Sequence, residues 1–447
     1  MQDSENPNYA RPAYAWYVVA ILTIAYVSSF IDRQIVALLA DDIRKDLQIS
    51  EVQVSLLMGF SFAIFYTLLG LPIGRLSDYK NRRNIIAWGI FVWSLMTAAC
   101  GLAKNYWQFF LARVGVGIGE AALSPAAYSM ITDYFPKRKL ATALSIYSMG
   151  LYLGGGLALL IGGFAAQMAS YKRVWEFPVI GEVFSWQLIF FLVGLPGLLV
   201  VLLTFTIREP LRQVMKDAQG NPMQKAIPLT MVWAYIKQNL GIFFFHNFGF
   251  AFFTICTYGL SFWLPTYIIR NYGISKAEVG ITLGIIQSLF ATSGIVVGGR
   301  LADYLATKGY ANSRQIVMLM SSVSLLICCI PLPFLPSITW VWIMAPLVNF
   351  TSSFGLGTGT AVMQEVVPPP MRGLSSAIFL FLVNFFGLGF GPTIVASITQ
   401  MVYADDKMIG YSLLTTAFIV LIPASLFFWA SMRYYRISTK AAEAWRG

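Results

Sequence analysis

In the run AYVSSFIDRQIVALLA, residues 25–40, Asp32 and Arg33 interrupt a stretch otherwise almost free of charge. A second pair, Arg113 and Glu120, stands in RVGVGIGEA, residues 113–121, within another apolar run. One ionised side chain at the centre of a membrane helix costs roughly 2.5–3.5 kcal/mol on insertion scales. Four unpaired charges would therefore cost roughly 10 kcal/mol, comparable with a whole protein's net stability. Pairing or water access is required. Arg113 and Glu120 are seven residues apart, two helical turns or about 10.5 Å, so they share a face that Gly117 and Ser124 continue. Gly115, Gly117 and Gly119 let a neighbouring helix come close. Two acids and two bases are neutral when complete, and protonating either acid strands an arginine that stays charged. That is the logic of a proton switch. Asp32 and Glu120 are expected to carry the protons. Arg113 and Arg33 are expected as their charge partners or as the hold on a substrate head group. Asp32 is the member expected to change protonation, and Arg33 the less anchored one, with the outer surface within its reach. The bland alternative is a knot of buried ion pairs, or charges that snorkel to an interface.

The elements that must position these charges are membrane helices. The chain is 57% hydrophobic and 15% aromatic, only 11% charged, with a mean hydropathy of +0.67, a composition built for lipid. Its net charge of +11 is spread through short segments between apolar runs, so it reads as topology and not as a nucleic-acid surface. Cys100, Cys256, Cys328 and Cys329 sit inside apolar runs and read as small packing residues. Stretches long enough to cross a core of about 30 Å fall at 14–39, 51–73, 84–103, 106–133, 140–167 and 184–206, then at 237–269, 278–300, 314–335, 338–365, 372–402 and 409–434. The expected fold is all-α and integral to the membrane, with twelve spans. The first span is too long for the core of a cleaved signal peptide and is expected to stay. The termini and alternate loops hold 21 of the 31 Lys and Arg residues, which puts the termini and the loop after span 6 in the cytoplasm of a multi-pass protein of the cell inner (plasma) membrane.

A repeat organises the spans. GRLSDY at 74–79, after span 2, recurs as GRLADY at 299–304, after span 8, and TDYFPKR at 132–138 is echoed by QEVVPPP at 364–370, each with an acid three residues before a proline. The polar segment around 208–229 reads as a linker. The expected domains are a six-helix half at 1–207, a cytoplasmic linker at 208–236 and a second half at 237–447, related by pseudo-two-fold symmetry. In this pattern the chain resembles the major facilitator superfamily over its whole length, although Tyr79 and Asn81 stand where that signature has a basic residue and a glycine. The resemblance implies an inner gate at the cytoplasmic ends, formed by Asp78, Arg82 and Asp133 and, in the second half, by Asp303 and Glu365 with Arg314. The glycines of GLYLGGGLALLIGG in span 5 lack the Gly-Pro pair of the superfamily's antiporters, so their secure meaning is close helix contact.

Three stretches sharpen the resemblance: IDRQIVALLADDIRKDLQIS, LPIGRLSDYKNRR and RVGVGIGEAALSPAAYSMITDYFP are similar to the Spinster-type branch, with its Asp-Arg pair in the first helix and G-x-G-E-A in the fourth. That branch implies transport of lysolipids and sphingoid-type lipids, with proton coupling in bacterial relatives. The second half adds aromatic runs, FFFHNFGFAFF at 243–253 and FLFLVNFFGLGF at 379–390. His246, Asn247, Asn349, Asn384 and Phe385 are therefore expected around a lopsided cavity, with a head group at the charges and an apolar tail among rings. The expected partners are protons, the lipid bilayer and a small amphipathic or anionic substrate, with no nucleic acid, and the protein is expected as a monomer. The alternative substrate is a small water-soluble organic anion, a sugar acid or an aromatic acid, held by Arg113. No cofactor and no metal are expected: the chain has one His and no HExxH, G-x-S-x-G or P-loop pattern, which argues against an enzyme and against an ATP-driven pump.

Overall fold

The computed structural model describes residues 11–135, 137–169, 174–177, 181–210, 229–368 and 371–444; most of the linker lies outside these, as do a few side chains within helices, that of Asp78 among them. The chain forms α1 (Pro12–Leu47), α2 (51–79), α3 (Arg82–Cys100), α4 (Tyr106–Tyr134), α5 (Lys137–Ala169), α6 (Ser185–Phe205), α7 (Leu240–Tyr272), α8 (Lys276–Thr307), α9 (Ser313–Cys329), α10 (338–365), α11 (372–403) and α12 (Ile409–Ala444). Eleven of the described segments are long and apolar enough to cross a membrane. The other, α10, breaks at Gly355 into Ile338–Phe354 and Leu356–Glu365.

Local sequence sets the ends. Pro12 opens α1 with a nitrogen that has no proton to satisfy, and Gln48 closes it in the left-handed region at φ 52°. Ser50 then starts α2 with a capping box, accepting from Gln53 N at 3.1 Å while Gln53 Oε1 accepts from Ser50 N at 2.8 Å. Asn81, Asn105 and Ser275 cap α3, α4 and α8 more simply, each side chain accepting one backbone N–H. Helix α1 runs eight residues past its expected end at 39, because its polar last turns carry Asp41, Asp42 and Arg44 out of the apolar zone. The loop between α5 and α6 contains an unanticipated hairpin, β1 (Val174–Phe177) and β2 (Gly181–Phe184), paired antiparallel with Val174 opposite Phe184.

Helix α1 packs along α5, α7 along α12, and α5 along α8. Ile35–Ala40 of α1 is buried on every side, as expected of a helix surrounded by others. The glycine face of α5 lies on α8: a Cβ at Gly163 would sit 2.8 Å from Ala277 O, and one at Gly284 2.7 Å from Gly156 O, so only glycine allows this backbone contact. Among the described residues, three helices contain π turns: α2 at Leu56–Phe60, α8 at Gln287–Ala291 and α11 at Val383–Phe390 and Ile398–Tyr403. Such turns insert a residue into the helical ladder and recur at functional positions.

Candidate functional site

Helices α1 and α4 bring all four midspan charges together. Ser29 and Arg33 lie one turn apart on α1, and both reach Glu120: Arg33 Nε donates to Glu120 Oε2 at 2.6 Å and Ser29 Oγ donates to the same oxygen at 2.5 Å. The Arg33 guanidinium carbon also lies 4.5 Å from the ring centres of Phe30 and Phe62 and 4.7 Å from that of Tyr66. Three ring faces and a carboxylate together offset its removal from water. Arg33 is therefore not the loosely held member that its position suggested; it is 6% exposed and the anchor of the ion pair.

Arg113 behaves differently. Its side chain is fully buried, yet it donates to backbone carbonyls, Nη1 to Asp32 O at 3.0 Å and Nε to Leu57 O at 3.2 Å. It makes no bond to the Asp32 carboxylate. Both Asp32 carboxylate oxygens, Arg113 Nη2 and Glu120 Oε1 are buried without a hydrogen-bond partner among the described residues, and the Thr97 hydroxyl lies beside Asp32 without completing a bond. Burial without partners is costly for groups of this kind. The site can thus take up a proton, water or a polar substrate group without breaking an existing bond.

At one end of the helices, Arg82 Nη1 meets Asp133 Oδ2 at 2.5 Å and Ser129 Oγ at 2.8 Å, while its Nε meets Glu209 Oε1 at 2.7 Å. Arg314 meets Glu365 Oε1 at 2.5 Å, and Tyr435 donates to the other oxygen of that acid. Each arginine finds its acid 51 residues later in the chain, so the repeat extends to the ion pairs. Asp303 stands near Arg314 without bonding it. Glu209 was not anticipated; its sequence signal was an acid three residues past the end of span 6.

The opposite ends of the helices hold a larger network that sequence reasoning also missed. Arg270 on α7 reaches Asp41 at 2.6 Å and Glu51 at 3.0 Å, and Lys276 reaches Asp42 at 2.5 Å. Arg44 joins Glu51 at 3.1 Å and also pairs with Asp406. These bonds tie the first six helices to the last six. Deeper, Gln34 Nε2 on α1 donates to Ser261 O and Oγ on α7, each at 2.9 Å. The signal was the charge density of ADDIRKDLQISE at 40–51 facing that of YIIRNYGISK at 267–276.

The cavity residues expected in the second half are dispersed. His246 is fully buried, with Nε2 donating to Gly359 O at 3.0 Å, Nδ1 accepting from Gln315 Nε2 at 3.1 Å, and its ring stacked 5.9 Å from Phe379. Both nitrogens are satisfied, so it packs in the core instead of offering a free polar group. Asn349 and Asn384 donate to carbonyls of their own helices, Ala345 O and Leu380 O, each at 2.9 Å. Phe385 stacks on Phe381 at 5.8 Å, and Asn247 is buried with Oδ1 unbonded among the described residues.

A bundle of apolar helices with a buried cluster of charges and ion pairs at both mouths is the construction of a multi-pass membrane transporter. Comparison with known proteins places it further: the chain belongs to the Major Facilitator Superfamily, whose profile matches residues 22–392. It is 27% identical to an MFS-type efflux pump of Mycolicibacterium smegmatis, over 97% of this chain and 96% of that one. It is 28% identical to the hexuronate transporter of Bacillus subtilis, over 86% and 87% of the two chains. Among solved structures, a bacterial homologue of the human lysosomal transporter Spinster, inward-facing and unoccupied, matches with a TM-score of 0.78 at 28% identity, covering 98% of this chain and all of that one.

Proposed function

We propose that this transporter is proton-linked and works by alternating access, moving an amphipathic, lipid-like substrate of the lysolipid or sphingoid type. In this reading all twelve helices span the membrane, as halves 1–207 and 237–447 joined by the linker 208–236, with both termini in the cytoplasm. The observation that carries the proposal is the buried Arg33–Glu120 pair beside an Asp32 carboxylate without a bond. Protonation of Asp32 or Glu120 changes the charge balance of the cluster while both arginines remain charged. That change biases the halves between states. The outer ion pairs between α1, α2 and α7 hold the outer mouth shut in the described state. Arg82 with Asp133, and Arg314 with Glu365, then act with Asp78 and Asp303 as the inner gate that closes in the opposite state.

The test is flux in vesicles across pH for Asp32→Asn and Glu120→Gln. Loss of the pH dependence in either supports the reading, and an unchanged dependence in both sinks it.

A second reading keeps the fold and moves a small organic anion. It is supported by Arg113 Nη2, a buried cationic donor with no partner among the described residues, and by the hexuronate transporter among the relatives. A thermal-shift panel separates the two: lysolipids raise Tm in the first reading, sugar acids in the second.

A further inference from the structure

One five-residue turn touches both the charge cluster and the other half of the molecule. In the π turn Leu56–Phe60 of α2, the Ser61 N–H reaches back five residues to Leu56 O. Leu57 O takes two side-chain donors, Ser61 Oγ at 3.2 Å and Arg113 Nε at 3.2 Å. A carbonyl displaced from the regular ladder needs such partners, and a guanidinium is a strong one. On its other side the same turn carries Gly59, pressed against the backbone of α11: a Cβ there would strike Leu388 O and lie 3.4 Å from Gly389 O. That part of α11 is itself the π segment Val383–Phe390. Phe60 and Phe390 meet at the same seam with ring centres 5.8 Å apart. There is no slack behind the turn either, because a Cβ at Gly117 of α4 would lie 3.3 Å from Phe62 Cα.

Only the first turn of α2, Glu51–Ser55, precedes the π turn. Glu51, the first residue of that helix, accepts from Arg270 and Arg44 in the network that closes the outer mouth. Returning the π turn to α geometry removes one residue from the register. It would rotate Glu51–Ser55 by roughly 100° relative to the rest of α2, one residue's share of a helical turn. A rotation of that size swings Glu51 away from Arg270.

We propose that the π turn of α2 is the joint through which the charge cluster controls the outer mouth: Arg113 holds the turn through Leu57 O, and Gly59 bears on Leu388 of the other half. Gly59 and Ser61 are then positioning residues for transport. They touch neither proton nor substrate and act through Arg113 and the seam. Besides the cluster's own four charges, the titratable groups facing it are Cys100 of α3, Tyr66 of α2, Tyr26 of α1, Tyr147 of α5 and Tyr258 of α7. The inference rests on the alternating-access reading above.

The test is a double-mutant cycle read by spin-label distances between the outer ends of the halves, with labels at the exposed positions Leu102 and Met401, in nanodiscs at acidic and neutral pH. Arg113→Lys keeps the charge but loses the planar fork, and Gly59→Ala pushes the turn off Leu388. Each should lower the ratio of outer-closed to outer-open protein by about threefold or more, with the double variant no further shifted than the larger single. Single effects that multiply in the double variant would overturn the joint while leaving alternating access intact. A single outer distance in the unsubstituted protein at both pH values would instead sink the alternating-access reading, and the joint with it. Where Gly59→Ala does not yield a monodisperse protein, Ser61→Ala replaces it in the same cycle, removing one donor to Leu57 O without adding bulk.

Discussion

The two halves each bury a polar constellation between helices, and the two are finished to different degrees. Around His246 the second half uses neutral groups, and both ring nitrogens are bonded, with Gln315 Oε1 left over. Around Arg33 and Glu120 the first half buries four formal charges and leaves Asp32, one Arg113 nitrogen and one Glu120 oxygen without partners among the described residues. A satisfied polar network rigidifies a fold, whereas an incomplete one is retained against its cost to stability. On the proposed reading, the asymmetry puts the chemistry in the first half and support in the second.

Four substitutions break or sharpen that contrast. The largest effect is expected from Arg33→Met, which leaves Glu120 buried without its counter-charge; transport should cease and stability should fall by about 3–5 kcal/mol, read by thermal unfolding in detergent. A small loss would mean the pair is not the anchor of the site. Asp32→Asn should come next in transport, flattening its pH dependence, yet stability should hold within about 0.5 kcal/mol because no described bond of the carboxylate is lost. A large fall in melting temperature would show a structural role instead. Arg270→Gln removes two outer ion pairs and should enlarge the outer-open population by about tenfold, or about 1.4 kcal/mol, visible in the same spin-label distances. The smallest effect belongs to the second half: His246→Gln should cost about 1 kcal/mol of stability and leave the pH profile of transport in place. A changed profile there would erase the contrast between the halves.

Much of this was legible in the sequence, for reasons that differ by level. Helix positions followed from apolar length; the ends, which Ser50, Asn81, Asn105 and Ser275 set through their own backbone, were not among the expectations. That Asp32, Arg33, Arg113 and Glu120 converge followed from the cost of leaving them apart. Which acid meets which base did not follow, since it depends on the rotation of α1 against α4 and on where Phe30, Phe62 and Tyr66 stand. The π turns were invisible because they shift the register by one residue without changing composition. His246 was misplaced for a related reason: an apolar neighbourhood reads alike in a cavity wall and in a core, and only the contacts to Gly359 and Gln315 separate them.

Glu209 has a consequence for covalent continuity. With Arg82 and the Arg83 N–H held by its carboxylate, and with Tyr134 bonded to Arg208 O, the exit of α6 is stapled to the first half as far as Pro210. The tether between the halves therefore starts only beyond that point. A chain nicked just after Pro210 keeps all these staples in its first fragment. The two pieces, co-expressed, should find each other through the α5–α8 glycine seam and the outer ion pairs, as subunits of a split transporter.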